Sequence, residues 1–304
     1  MIPPLIISAL FSLIFPLGKI ALAYCSPFFL TALRMFLGGA ILLLYRLIFK
    51  KTQTEKFSYI YFLQIVVLAI FNIYLTNAYE FWGLQYMSSS KTAFIYNLSP
   101  FFAALFAYWY FNERMTTKKW IGLIISFIGF LPIFLADAPA EKNLSHLFSF
   151  STAELALLIA TVATVYGWIV MQNVVRQKHD PVMANGLSML GGAVISLLHS
   201  VFVETWHPTP VISWWPFLGW LVLIVFFSNI VCYSLYAYSL KKYTATFVTF
   251  AGLTGPLFAA LFDWLFFGIS VSWDFYLATA LVCGGLYLFY QEEMRLGYIV
   301  KKAH

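Results

Sequence analysis

The chain has 304 residues, of which 62% are hydrophobic and only 10% charged, with a mean hydropathy of +0.83. A soluble chain of that length cannot cover so much apolar surface, which excludes the soluble enzymes and binding modules and leaves a polytopic membrane protein. The formal charge of +6 would suit nucleic acid in a soluble protein, but in a membrane chain the placement of Lys and Arg reports topology, and no nucleic-acid partner is expected.

The apolar runs are about 20 residues long and continuous, the pattern of membrane helices; barrel strands would alternate over roughly ten. The spacing predicts ten spans: Pro4 to Tyr24, Phe28 to Phe49, Tyr59 to Trp82, Thr92 to Phe111, Trp120 to Leu135, Ala153 to Asn173, Met183 to Val203, Trp214 to Ser239, Thr246 to Phe267 and Phe275 to Gln291. The first run lacks a basic head and contains Lys19, so it is expected to stay as a helix and not to be cleaved as a signal. Turn and cap residues such as Ser26-Pro27, Asp180-Pro181 and Pro208-Thr209-Pro210 separate the runs. The one long connection, Asp137 to Thr152, divides the spans five and five, so residues 1–140 and 141–304 are read as two repeats, the second with a short cytoplasmic tail.

A repeated stretch supports that division. Pro100-Phe101-Phe102-Ala103-Ala104-Leu105-Phe106 returns, with one change, as Pro256-Leu257-Phe258-Ala259-Ala260-Leu261-Phe262, 156 residues further on (100 to 256). An internal duplication explains this most simply. With the amino terminus inside, fourteen Lys and Arg fall in inner connections or the tail, from Arg46 to Lys302, and only Lys91 and Lys142 in outer ones. Both termini are therefore expected in the cytoplasm. Five spans per half then make the halves inverted repeats, the arrangement that lets a central cavity open to either side in turn.

The motifs resemble the drug/metabolite transporter superfamily, in particular its EamA-type ten-helix carriers. Ser26-Pro27-Phe28 with Arg34 and Gly38-Gly39 looks like the start of that family's second span. Ala78 to Gly83, Ser88-Ser89-Ser90, Leu98, Pro100 and Ala103-Ala104 look like its third-to-fourth span junction, and Glu113 with Thr116, Trp120, Gly122 and Gly129 like its fourth-to-fifth. The second half matches at Asp180-Pro181, Gly191-Gly192, the Pro256 stretch and Gly284-Gly285, with Ile269 where Glu113 has its counterpart. The resemblance implies a secondary carrier in the bacterial inner membrane. Its solutes include amino acids, nucleotide-linked metabolites and, in some intracellular bacteria, S-adenosylmethionine.

Ionisable groups inside hydrocarbon are functional candidates by default. Lys19 lies about 22 Å along its helix and, with Lys91, could receive a carboxylate or phosphate. Glu80 and Asp263 could receive an ammonium, a sulfonium or a coupling proton. The other reading makes these, with Arg34, outer-interface residues that snorkel or pair, as Glu80 could with Lys91. Glu113 is read as pairing Arg114 or Lys118 at the cytoplasmic end. Among neutral groups, Asn77, Tyr96, Asn97, Gln172, Asn229 and Tyr233 are candidates to face a wet cavity or to bond between helices. Tyr166 and Trp168 are candidates to stack on an adenine ring or hold a cation over a ring face. Pro100 and Pro256 each remove a backbone donor and free a carbonyl, which suits hinges at corresponding places in the two halves.

The cysteines Cys25, Cys232 and Cys283 have no metal-ligand spacing, and no metal or cofactor is expected. A membrane-embedded enzyme would need clustered acids, a phosphate loop or a His-Glu-x-x-His pattern, none of which is present. The expectation is an alternating-access transporter of a small amphipathic metabolite, amino-acid-like or S-adenosylmethionine-like, as monomer or homodimer, with a coupling proton or a counter-substrate left open. An exporter of amino acids or drugs is the alternative, and a channel the rival from another class.

Overall fold

The computed structural model describes residues 2–49, 58–87, 89–136, 151–255, 257–258 and 273–299. Its regular elements are helical, apart from an isolated bridge between Cys25 and Val211. Proline decides where several apolar runs break. The first is two helices, α1 (Ile2–Ser12) and α2 (Ile14–Ala21), because Pro16 cannot donate to the carbonyl of Ser12 and its ring crowds that group. Pro27 opens α3 (Pro27–Phe49), where a missing N–H leaves nothing unpaired. Pro100 separates α6 (Ser89–Tyr96) from α7 (Ser99–Phe111) by removing the bond to Tyr96, four residues back.

Two runs are broken differently. Between α4 (Tyr59–Val67) and α5 (Thr76–Tyr86) the helix widens into a π segment, Leu68–Leu75. Between α11 (Trp214–Ile224) and α12 (Tyr233–Ser239) it widens again over Val225–Cys232. The second π segment begins 157 residues after the first (68 to 225) and has the same length. Widening loosens carbonyls from the ordinary ladder. Side chains collect them: Thr76 Oγ1 donates to Phe71 O at 2.8 Å, and Asn77 Nδ2 to Ile73 O at 2.8 Å and Asn72 O at 3.2 Å.

The remaining helices are α8 (Thr117–Ala136), α9 (Thr152–Arg176), α10 (Pro181–Val203), α13 (Ala245–Ala251) with a 3-10 turn at Gly252–Thr254, and α14 (Trp273–Arg295). Ser151 and Glu154 form a capping box on α9, and Asp180 caps α10. Six stretches among the described residues are long and apolar enough to cross a membrane: Pro3–Ala21, Pro27–Phe49, Tyr59–Tyr86, Thr152–Arg176, Pro181–Val203 and Trp214–Ser239. The protein is an all-α, polytopic membrane protein, and large side chains such as Phe202 (84% exposed) and Trp215 (87%) stand outward for lipid.

Two antiparallel helix pairs tie the halves of the chain together. In the first, α3 lies on α10, and a Cβ on Gly39 would stand 2.9 Å from the carbonyl of Gly186. Each end is fastened by charge. Glu204, just past α10, accepts from the N–H groups of Phe28 and Phe29 at 2.7 and 3.0 Å, satisfying the first turn of α3, and Arg46 near the end of α3 meets Asp180 at 2.9 Å. In the second pair α8 lies on α14, where a Cβ on Gly122 would stand 2.7 Å from the carbonyl of Gly285. Small residues let such backbones meet in lipid. Around these pairs α5 packs on α9, α2 on α11, and α7 on both α9 and α13.

Candidate functional site

A polar cluster lies buried where α3, α5, α6, α9 and α12 converge. Arg34 on α3 is 1% exposed. Its Nη2 donates to Asn77 Oδ1, and its guanidinium lies 4.5 Å from the centroid of the Phe81 ring. Asn77 and Phe81 are four apart on α5, so one helix face presents both. Asn77 Nδ2 also reaches Tyr233 Oη on α12 at 3.0 Å. Glu80, on the same face of α5, accepts from Tyr96 Oη of α6 at 2.7 Å. Thr164 of α9 donates to Thr76 Oγ1 at 2.9 Å.

An aromatic wall adjoins the cluster. Trp168 of α9 stacks on Tyr236 of α12, with ring centroids 3.7 Å apart and planes at 14°, and lies 5.3 Å from Tyr233. Tyr236 Oη is 2.8 Å from Thr249 Oγ1 of α13. Phe15 of α2 packs against Tyr96 at 5.6 Å. Charge, amide, hydroxyl and ring faces thus share one region inside an apolar bundle, a combination suited to holding a zwitterionic or aromatic solute.

Of the residues predicted from sequence, this cluster gathers Asn77, Glu80, Tyr96, Trp168 and Tyr233. The others lie apart. Lys19 donates to the carbonyls of Leu84, Gln85 and Met87 at 2.6, 3.1 and 2.9 Å, so its three protons serve the C-terminal end of α5. Asn97 is buried at the break between α6 and α7. Tyr166 points away from Trp168, edge-on to Phe71 at 5.0 Å and Phe106 at 5.8 Å. Asn229, in the second π segment, places Nδ2 2.9 Å from Met35 Sδ, and a Cβ on Gly38 would stand 2.6 Å from its own Cβ. Lys91 belongs to α6 with its side chain outside those described, and Asp263 and Pro256 lie outside the described residues. The four residues before Pro256 are described: the carbonyls of Gly252 and Gly255 accept from Ser8 Oγ at 3.3 Å and Ser12 Oγ at 3.0 Å.

A second polar group closes the end of the bundle where α7, α9 and α14 meet. Gln172 belongs here: its Oε1 accepts from the backbone N–H of Ala245 at 2.6 Å, and its Nε2 lies 3.4 Å from Glu113. Glu113 pairs with Arg176 of α9 at 3.0 Å, instead of Arg114 or Lys118 beside it in sequence. The left-handed cap at Asn112 turns the chain between α7 and α8 at this point. Burial, and then the nearby Glu293, push the Glu113 carboxyl above its ordinary value against the pull of Arg176 and Lys119. Lys119, 1% exposed, pairs with Glu293, which also accepts from Thr244 Oγ1 at 2.8 Å. A cavity of about 590 Å³ opens beside α8 and α14, lined by Lys118, Ile121, Tyr287, Glu292 and Arg295 among others, and touches none of the central cluster.

Thr76 and Thr164 complete the cluster with no sequence reading that placed them there, and with them stand Tyr236, which shares a helix face with Tyr233, and Arg34, for which the sequence reading left an outer-interface role open. The signal for Arg34 was present, an arginine seven residues into an apolar helix, but counting along α3 gives its depth and not what covers it. The threonines carried no signal beyond their polarity.

The family model described as the EamA-like transporter family matches this chain twice, over residues 3–135 and 151–291. Among curated proteins the chain is similar to the S-adenosylmethionine/S-adenosylhomocysteine transporter of Chlamydia muridarum, at 36% identity over 94% of this chain and 90% of that one. The transporter of the same name from Chlamydia trachomatis serovar D is 35% identical over 94% and 87% of the two chains. A crystal structure shares the fold with a TM-score of 0.72 at 18% identity, covering 96% of this chain and 98% of the other.

Proposed function

The chain belongs to the EamA-like transporter family, and from that premise we propose that it exchanges S-adenosylmethionine for S-adenosylhomocysteine, or a close analogue, across a bacterial inner membrane. The observation that carries the proposal is the buried group of Arg34, Asn77, Glu80, Tyr96 and Tyr233 beside the Trp168–Tyr236 stack. Bonds between helices use some of these groups, while the unpartnered donors of Arg34 and the ring faces beside them suit a metabolite with charged, polar and flat parts. The similarity to curated transporters of that solute over nearly the whole chain supports the choice.

Ten spans in two inverted repeats, residues 1–140 and 141–304, are the architecture proposed. Support comes from the two matches to one family model, from the equal π segments 157 residues apart, and from the antiparallel pairing of α3 with α10 and α8 with α14. Asn77, Glu80, Tyr96, Trp168, Tyr233 and Asn229 are proposed to line the path with Lys91 and Asp263. Asn97, Tyr166 and Gln172 border it, Lys19 steadies the end of α5, and Pro100 and Pro256 let the broken helices bend. The ties at the Arg176 end form the cytoplasmic gate. Purified protein in liposomes should take up labelled S-adenosylmethionine saturably and lose that uptake to unlabelled S-adenosylhomocysteine. Uptake that does not saturate would reject a carrier.

A further inference from the structure

We propose that Arg34 is the receptor for the solute's α-carboxylate and, with Glu80 receiving the α-ammonium, makes the site selective for free α-amino acids, including those attached to a nucleoside. The inference rests on the proposed transport at this cluster and adds the part of the solute that is read.

Arg34 presents five N–H donors, and its bond to Asn77 uses one of them. Nε and Nη1 are buried and have no hydrogen-bond partner. Among the described residues no carboxylate forms an ion pair with the guanidinium; Glu80 lies on the helix that carries its partner Asn77, three residues further along. A guanidinium held in a membrane protein with most of its donors idle is unfavourable by itself. It becomes favourable when an anion takes these donors: the second hydrogen of Nη2 forms an edge with Nε or with Nη1, and a carboxylate matches such an edge in plane and spacing.

Neighbouring side chains hold the fork still without consuming it. Asn77 fixes one nitrogen, the face of Phe81 fixes the plane, and Gly38, four residues along α3, leaves room for Asn229. Asn77 is itself anchored to the π-segment carbonyls and to Tyr233. Glu80 lies three residues beyond Asn77, with Oε2 held by Tyr96. A cation receptor and an anion receptor therefore stand on adjoining turns of two packed helices, the complement of a zwitterion. The Trp168–Tyr236 wall is left to whatever side chain the amino acid bears.

The test is competition against uptake of labelled S-adenosylmethionine by the full chain in liposomes, comparing S-adenosylmethionine with its decarboxylated form, which lacks only the carboxylate. The wild-type protein should need at least about 100-fold more of the decarboxylated compound. Arg34→Gln should bring the two within about threefold of each other, and Arg34→Lys, which keeps charge and loses the fork, should fall between. The ratio is read within each protein, so a smaller folded fraction cancels. Equal competition in the wild-type protein overturns the clamp and leaves transport standing. If labelled S-adenosylmethionine is not taken up at all, the choice of solute fails separately, and thermal protection by methionine against methioninamide decides the clamp. Protection by the acid alone supports it; protection by both or by neither overturns it.

Discussion

At the scale of single residues, two glutamates of one chain are given opposite work by their surroundings. Glu80 sits within the central cluster on Tyr96, and Glu113 closes one end of the bundle on Arg176. Glu80→Gln should therefore lower transport about tenfold or more, and Glu113→Gln distinctly less; equal losses in the liposome assay would contradict the division. Glu113 also sets a pH dependence. Its folded carboxyl is raised by burial first and by Glu293 second, so the folded protein holds a proton that the unfolded chain has released, and stability falls as pH climbs from the ordinary carboxylate value to the raised one. Melting temperatures across that window should decline for the wild type and flatten in Glu113→Gln. Residue roles were only half legible in the sequence. Lys19 reads as an anion receptor in the sequence, which does not show that the carbonyls of Leu84, Gln85 and Met87, 65 to 68 residues away, meet its three protons. Arg34 reads as an interface residue until Asn77 and Phe81 cover it.

Elements were more legible wherever proline or a cap speaks for itself. Pro100 divides α6 from α7, Asp180-Pro181 starts α10, and the spans of α3, α9 and α10 lie close to where hydropathy places them. The π segments escaped because an extra residue per turn leaves a run as apolar as before; only the loosened carbonyls, taken by Thr76 and Asn77, reveal them. The contact of α8 with α14 yields a contrast between neighbouring glycines. A Cβ on Gly285 would run into Ser126 and the carbonyl of Gly122, whereas one on Gly284 meets nothing within 4 Å. Gly285→Ala should cost about 1–3 kcal/mol and lower the melting temperature, while Gly284→Ala leaves it unchanged. A shift of the same size in both would show that α8 and α14 do not meet at Gly285.

For the whole molecule, the repeated Pro-Phe stretch divides the sequence into two halves, and the family model matches the chain twice, over residues 3–135 and 151–291. What no linear reading could supply is how the halves are fastened: Glu204 across to the start of α3 and Arg46 to Asp180 along one helix pair, Lys119 to Glu293 along the other. Such ties would hold each helix pair as a unit, which the proposed alternating access requires. A carrier of this kind moves solute in one direction faster when solute waits on the far side, and a channel does not. The decisive measurement is counterflow: liposomes preloaded with S-adenosylhomocysteine should take up labelled S-adenosylmethionine with a transient overshoot that Glu80→Gln abolishes. Uptake that rises in proportion to concentration, with no overshoot in preloaded vesicles, would contradict alternating access at this site.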